Sequence, residues 1–393
     1  MELILNFVYI YIGIFSIYFF ILALRSLNSS KFRRMENRAA ELEKKLLCVI
    51  LYSHNNYESL KNIITQLSHQ TYPVHKYIIY VILDNCNDHS DESIKENFNL
   101  RILNLNDGIT VGRDQAVSIL LERLRQDTSI DSYIFLDIDR YIEENFLENA
   151  NMALYYSPVV VGQTVIIENE KLSLQEKIIT TYHKYQNNFI RKARSLSGLS
   201  DKIDSSIMCI QKDFVEKIDA LDIKDTNTEL KYSILIASLG YPCKFIPSLK
   251  TYIRLFNFKL NRPSLSYRIN MFKQCFIKLF TFNFSFTEYI FSLVAPSGLV
   301  VSVLSVGYLI LSANYYFLFN FIIVFTVFSL LLLGFSISIL KASLSAKDFI
   351  YLIMYPVYSI SHILDNLPPY RFVKKYILNK DNFKKDFQKY SQQ

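Results

Sequence analysis

Three long apolar stretches bracket one long polar segment, and no other feature of these 393 residues constrains the fold more. From Leu3 to Leu24 a strongly polar side chain intervenes only at Asn6, and about 20 apolar residues are what a helix needs to cross a bilayer. Tyr289–Leu311 and Tyr315–Leu340 follow the polar segment, separated by only Ser312, Ala313 and Asn314, which predicts a tight helical hairpin. Arg25, Lys31, Arg33, Arg34 and Arg38 come after the first run and no cation precedes it. That order predicts a retained membrane helix rather than a cleaved signal, with the following residues on the cytoplasmic side. A mean hydropathy of +0.16 argues against a purely soluble chain.

The predicted organisation is a membrane helix over 1–25, a basic linker over 26–45 and a cytoplasmic domain over 46–255. An amphipathic helix follows over 262–284, with Met271, Phe272, Cys275, Phe276 and Leu279 opposite Lys273 and Lys278; it is either an interfacial helix or the last helix of the domain. Transmembrane helices are expected over 287–312 and 315–340. The segment 348–366, which contains Pro356 and His362, either crosses again or only dips into the bilayer, and a basic cytoplasmic tail occupies 367–393. A multi-pass protein of the plasma membrane (the cell's inner membrane) results. The net charge of +7 gathers beside the apolar runs, which fits membrane lipids and excludes nucleic acid as a partner. Cys48, Cys86, Cys209, Cys243 and Cys275 lie far apart, with neither zinc spacing nor a disulfide framework.

Within the polar segment, short β-branched runs alternate with amphipathic stretches, the pattern of an α/β fold around a mostly parallel sheet. Strands are predicted at Cys48–Tyr52, Tyr77–Leu83, Tyr133–Leu136, Val159–Ile166 and Lys244–Ile246. Helices are predicted at Tyr57–Ser68, Gly112–Arg125 and Leu174–Leu196, each with apolar residues three and four apart.

The chemistry concentrates at Asp137-Ile138-Asp139, where an apolar strand ends in two carboxylates one residue apart. Alternation along an extended chain puts both on one face. Two hard oxygen ligands there suit Mg²⁺ or Mn²⁺, with a ligand's phosphates completing the shell. A second strand ends in Asp84-Asn85-Cys86-Asn87-Asp88, where a carboxylate can accept from the imide N–H of uracil. With Leu67-Ser68-His69-Gln70-Thr71-Tyr72-Pro73 upstream and Gly112-Arg113-Asp114-Gln115-Ala116-Val117-Ser118 downstream, the chain resembles the membrane-bound family 2 glycosyltransferases, inverting enzymes that include chitin, hyaluronan, cellulose and poly-N-acetylglucosamine synthases. The resemblance implies a GT-A-type domain and a UDP-sugar donor. It implies that Asp84 and Asp88, with Ser53 and Asn55 of the loop Ser53-His54-Asn55-Asn56, belong to the nucleotide-sugar site. Arg113 would lie near the diphosphate, and Asp137 and Asp139 would hold metal and donor. Asn188 to Ser200 resembles the helix and turn before the acceptor loop, with Arg191 and Arg194 either near phosphates or on a solvated basic face.

The acceptor side departs from the family pattern. The register Asp225-Thr226-Asn227-Thr228-Glu229-Leu230 puts Asn227 where the family has its general base, and an amide cannot take a proton in that role. Asp225 and Glu229 are the neighbouring carboxylates able to replace it. The glycine-rich acceptor loop of the family corresponds here to Asp204-Ser205-Ser206-Ile207, and of the QxxRW signature only Arg268 remains. Two readings follow. One is a transferase that moves a sugar from a UDP-sugar to a saccharide or lipid-linked acceptor in cell-surface polysaccharide synthesis. The other is a non-catalytic subunit that keeps the fold and binds a nucleotide sugar or accompanies a partner subunit.

Overall fold

Leu47–Ser53 forms strand β1, and six of its seven residues are buried, so the strand must be covered on both faces. The computed structural model describes residues 2–28, 32, 34, 42–88, 99–106, 108–168, 172–217, 228–255, 269–273, 284–294 and 318–365. The described strands form one sheet in the order β3-β2-β1-β4-β7-β6-β8-β5. The remaining strands are β2 (Tyr77–Asp84), β3 (Leu100–Leu105), β4 (Ser132–Asp137), β5 (Tyr141–Ile142), β6 (Val159–Ile167), β7 (Ile207–Gln211) and β8 (Lys244–Arg254). The β3-β2-β1-β4 half is entirely parallel. Strands β7 and β5 run against the other six, so the expected mostly parallel sheet is a mixed one.

Helices Tyr57–Ser68 and Phe146–Tyr156 cover one face, burying Leu60, Ile63, Leu67, Phe146, Leu147 and Ala150 against Leu47, Val49 and Leu51. Helix Arg113–Leu124 covers the other, setting Ala116, Leu120 and Leu124 against Cys48, Ile50 and Ile82. Each buried Leu, Ile, Val or Phe among them contributes about 1.5–3 kcal/mol when removed from water. The Asn56 side chain accepts from the Ser59 amide at the start of the first helix, which satisfies one donor the helix cannot pair internally.

Strand β8 runs to Arg254, well past the predicted end at Ile246. The sequence signal stopped at Pro247, which has no N–H for a ladder. The structure absorbs it in an irregular stretch, where the pairing jumps from Val161↔Phe245 to Gln163↔Lys250. Gly162 sits at that jump, and a Cβ there would collide with Ile207 and the Leu249 carbonyl. The predicted helix Leu174–Leu196 is continuous but contains a π-helical turn at Gln186–Arg191. Such turns rotate the following side chains and are frequent at functional sites. Here the turn carries Asn187 and Arg191 into the domain.

Among the described residues, one helix is long and apolar enough to cross a membrane, at Phe325–Ala342 within the helix Leu318–Ala342. The expectation of several spans is corrected to that extent. The first helix, Glu2–Ser26, contributes the shorter apolar stretch Ile10–Ser26. The two helices pack together where Gly334 meets Phe19, a Cβ at Gly334 falling 3.1 Å from the ring. The expected span over 287–312 lies mostly outside the described residues, which include only the helix Phe284–Val294 at its start. The 348–366 segment is a helix, Ala346–Asp365, seated on the domain by one face. Tyr355 stacks on Tyr182 with ring centroids 3.5 Å apart, and Lys184 pairs with Asp348 at 3.4 Å. Most of 262–284 and the whole of 367–393 lie outside the described residues.

Candidate active site

Parallel strands end together, so β1, β2 and β4 deliver Ser53, Asp84 and Asp137 to one sheet edge. Because β7 runs antiparallel to β4 with Leu136 opposite Ile207, the turn entering β7 arrives at the same edge. The Asp137 amide donates to the Ser206 carbonyl at 3.2 Å. The Thr228–Ser238 helix then docks on this turn twice. The Ser233 hydroxyl accepts from the Ile203 amide at 2.9 Å, and Glu229 Oε1 accepts from the Ser205 amide at 2.9 Å and the Ser205 hydroxyl at 2.5 Å.

Arg113, the first residue of its helix, follows Gly112, whose φ of +85° is in the region that favours glycine. Its Nη2 lies 2.8 Å from Asp137 Oδ1 and donates to the Ser205 carbonyl at 2.7 Å, while Nη1 donates to the Ser205 hydroxyl at 3.0 Å. Asp137, Arg113, Ser205 and Glu229 thus form one continuous network, joining the predicted donor carboxylate to one of the two predicted bases.

Arg140, which sequence reasoning missed, is the second cation of the site. It is 8% exposed, against about 30% for the two carboxylates it faces, so it approaches them from inside the protein. Its Nη2 lies 3.8 Å from Asp137 Oδ2, its Nε 3.6 Å from Asp139 Oδ1, and Nη1 donates to the Thr164 hydroxyl at 3.1 Å. Its position directly after the Asp-x-Asp was the only available signal. Burial pushes the Asp139 carboxyl above its ordinary pKa, with Asp137 adding to that and Arg140 opposing it. Asp139 Oδ1 is buried without a hydrogen bond and faces the Arg140 guanidinium at 3.6 Å, so the oxygen has coordination to spare for a second cation. Among the described residues no group of three or more metal-ligating side chains occurs. The pair therefore fits a divalent ion whose remaining positions come from phosphate and water, the usual way Mg²⁺ is held.

Two predicted nucleotide contacts stand at this same edge with their side chains turned to internal partners or buried. Asp84 is fully buried and accepts from the Val111 and Gly112 amides at 3.1 and 2.9 Å and from the Tyr52 hydroxyl at 2.8 Å. In this structure it holds the turn that presents Arg113 rather than facing a base. Ser53 is fully buried as well, its hydroxyl inside the domain. Asn55 stays on the rim in a left-handed conformation (φ 52°), and its side chain accepts from the Asn87 amide at 2.6 Å. Asp88 accepts from the Tyr57 amide at 2.8 Å, at the start of a helix. Asp225, Asn227 and Arg268 lie outside the described residues.

Arg191 and Arg194 take neither expected role. Arg191 pairs with Asp201 at 2.5 Å, and Arg194 grips Glu288 of the Phe284–Val294 helix at 2.5 and 2.8 Å. Both guanidiniums are consumed by internal pairs rather than offered to phosphates or solvent. Nearby, His183 Nε2 and Asn187 Nδ2 converge on the Thr164 carbonyl at 3.0 and 2.8 Å. Burial pushes the His183 pKa down to about 4, and Arg191 and Arg140 add to that. The folded protein therefore keeps His183 neutral while an unfolded chain would protonate it. Stability is complete above about pH 6.5 and falls as the pH drops towards about 4, by an amount on the order of 3 kcal/mol. Melting temperatures of detergent-solubilised protein should drop over that window, and His183→Gln should flatten the decline.

No protein-family model matches the sequence, and no curated protein matches it either. Among solved structures, the chain is similar to the mannosyltransferase PcManGT from Pyrobaculum calidifontis, in complex with GDP-Man and Mn²⁺. That likeness has a TM-score of 0.49 at 13% identity and covers 91% of this chain and 99% of the other. It is also similar to S. aureus TarS in complex with UDP-GlcNAc (TM-score 0.42, 12% identity, 63% of this chain and 70% of the other). A third is GalNAc-T7 with UDP, GalNAc and Mn²⁺ (TM-score 0.41, 17% identity, 55% and 45%).

Proposed function

We propose that the chain is a metal-dependent, membrane-bound glycosyltransferase with a GT-A-type domain, moving a sugar from a UDP-sugar to a saccharide or lipid-linked acceptor. The observation that carries the reading is the network Asp137–Arg113–Ser205–Glu229 at the carboxyl edge of the parallel strands. It links a donor-type carboxylate, a phosphate-type cation and a second carboxylate, Glu229, within one site. Mg²⁺ or Mn²⁺ held by Asp137 and Asp139 would neutralise the diphosphate as it departs.

Glu229 takes the proton of the acceptor hydroxyl as its oxygen attacks the anomeric carbon. The bond from that carbon to the β-phosphate oxygen breaks on the opposite face, and the nucleoside diphosphate leaves with the electron pair. Arg113 compensates charge on the leaving group. The apolar helices and the cations of 26–45 support a position for this chemistry at the cytoplasmic face of the plasma membrane, against anionic lipid. A role in cell-surface polysaccharide synthesis follows from the sequence resemblance.

The competing reading, a non-catalytic subunit, draws on Asn227 at the expected base position. The tie between Glu229 and the donor edge weighs against it. Purified protein with Mn²⁺ and a panel of UDP- and GDP-sugars is expected to release nucleoside diphosphate from one donor. Nucleotide binding without release from any donor or acceptor favours the subunit.

A further inference from the structure

Ser205 has four hydrogen-bonding functions, and all four are engaged. Its amide and its hydroxyl proton both go to Glu229 Oε1. Its hydroxyl oxygen and its carbonyl both accept from Arg113. The same Arg113 nitrogen that holds the carbonyl at 2.7 Å lies 2.8 Å from Asp137 Oδ1. Ser205 is thus a junction with Arg113 on one side and Glu229 on the other, and the Glu229 oxygen that faces the site is occupied by two donors. Two donors fill the two lone-pair positions of that oxygen, so an acceptor hydroxyl has no place on it while both are bound.

We infer that Arg113 couples donor binding to release of Glu229, so that the nucleotide sugar must bind before the base can act. The inference rests on the donor-site reading above. A diphosphate entering beside Asp137 competes for the Arg113 guanidinium, because phosphate accepts its planar fork more strongly than a neutral hydroxyl and carbonyl do. When Arg113 turns to the phosphates, the Ser205 turn loses both contacts on that side. The turn then keeps its backbone link to Asp137, the Ile207 amide on the Asp204 carbonyl, and the hold of the Asp204 side chain on the Ser206 amide and hydroxyl. Ser205 can then rotate away from Glu229, exposing Oε1 to an acceptor hydroxyl. An enzyme built this way does not activate water or acceptor while the donor site is empty.

The test is hydrogen–deuterium exchange of the peptide spanning Ser205 in the full-length protein, with UDP or GDP and Mn²⁺ as probes and nucleotide binding measured separately. In the wild type, bound nucleotide should speed exchange at the Ser205 amide by about tenfold, the scale set by losing one hydrogen bond to a charged acceptor. In Arg113→Lys, exchange should already be fast without nucleotide and should respond little to it. Nucleotide that binds with unchanged or slower exchange at Ser205 overturns the coupling and leaves the donor site standing. If neither nucleotide binds, the donor-site reading falls, and the coupling falls with it.

Discussion

Glu229→Gln is expected to lower sugar transfer by about 10²–10⁴-fold, the range that a positioned general base contributes, while nucleotide binding persists. The amide keeps the shape of the side chain and can still accept from the Ser205 amide and hydroxyl, so the turn retains its contacts. What it cannot do is take the acceptor proton. Single-turnover kinetics at saturating donor isolate that step from product release. Asp225→Asn is the control, because Asp225 is the other carboxylate near Asn227 in sequence. If Asp225→Asn carries the large loss and Glu229→Gln is nearly silent, the base has been assigned to the wrong carboxylate.

Asp139→Asn is expected to remove the metal requirement together with most of the activity, a loss of at least about 10³-fold if the ion supplies several kcal/mol of charge stabilisation. Asp139 Oδ1 makes no hydrogen bond in its buried position beside Arg140 and is the oxygen a metal would take. An amide in that position still fills the space but gives the cation no charge. The upward shift of the Asp139 pKa adds a pH signature. A carboxyl that holds its proton above the ordinary range begins to compete with the metal sooner as the pH falls. Metal dependence should therefore steepen on mild acidification, and excess Mn²⁺ should restore activity there in the wild type but not in Asp139→Asn.

Three of the four strands of the parallel half were legible because they are short, apolar and bounded by polar turns, so Cys48–Tyr52, Tyr77–Leu83 and Tyr133–Leu136 were found nearly to the residue. The edge positions of Asp137 and Arg113 were legible for the same reason, since strand ends and helix starts project side chains to one edge. Strand β7 was not. Ile207–Gln211 is five residues long, follows a serine-rich turn and runs against its neighbours. With β7 missed, no strand pairing brought Ser205 beside Asp137, and only the family resemblance put Ser205, Glu229 and Asp137 in one site. Strand β3, with Arg101 and Asn104 among its six residues, reads as polar because it lies at the edge of the sheet. Arg191 and Arg194 misled for a different reason. A basic helix reads as a phosphate or solvent face unless the partners of its charges are known, and Asp201 and Glu288 are set by tertiary packing. The hold of Asp84 on the Val111 and Gly112 amides was not legible, since a motif does not show that a strand-end carboxylate also serves a backbone turn.

The central claim is that Asp137 and Asp139 hold a divalent ion together with a nucleoside diphosphate. Electron paramagnetic resonance of Mn²⁺ titrated into the full-length protein, with and without UDP or GDP, measures it directly. The account predicts weak binding of the ion alone, tighter binding when nucleotide is present, and loss of that gain in both Asp137→Asn and Asp139→Asn. Binding of Mn²⁺ and nucleotide that is unchanged in both variants would contradict it.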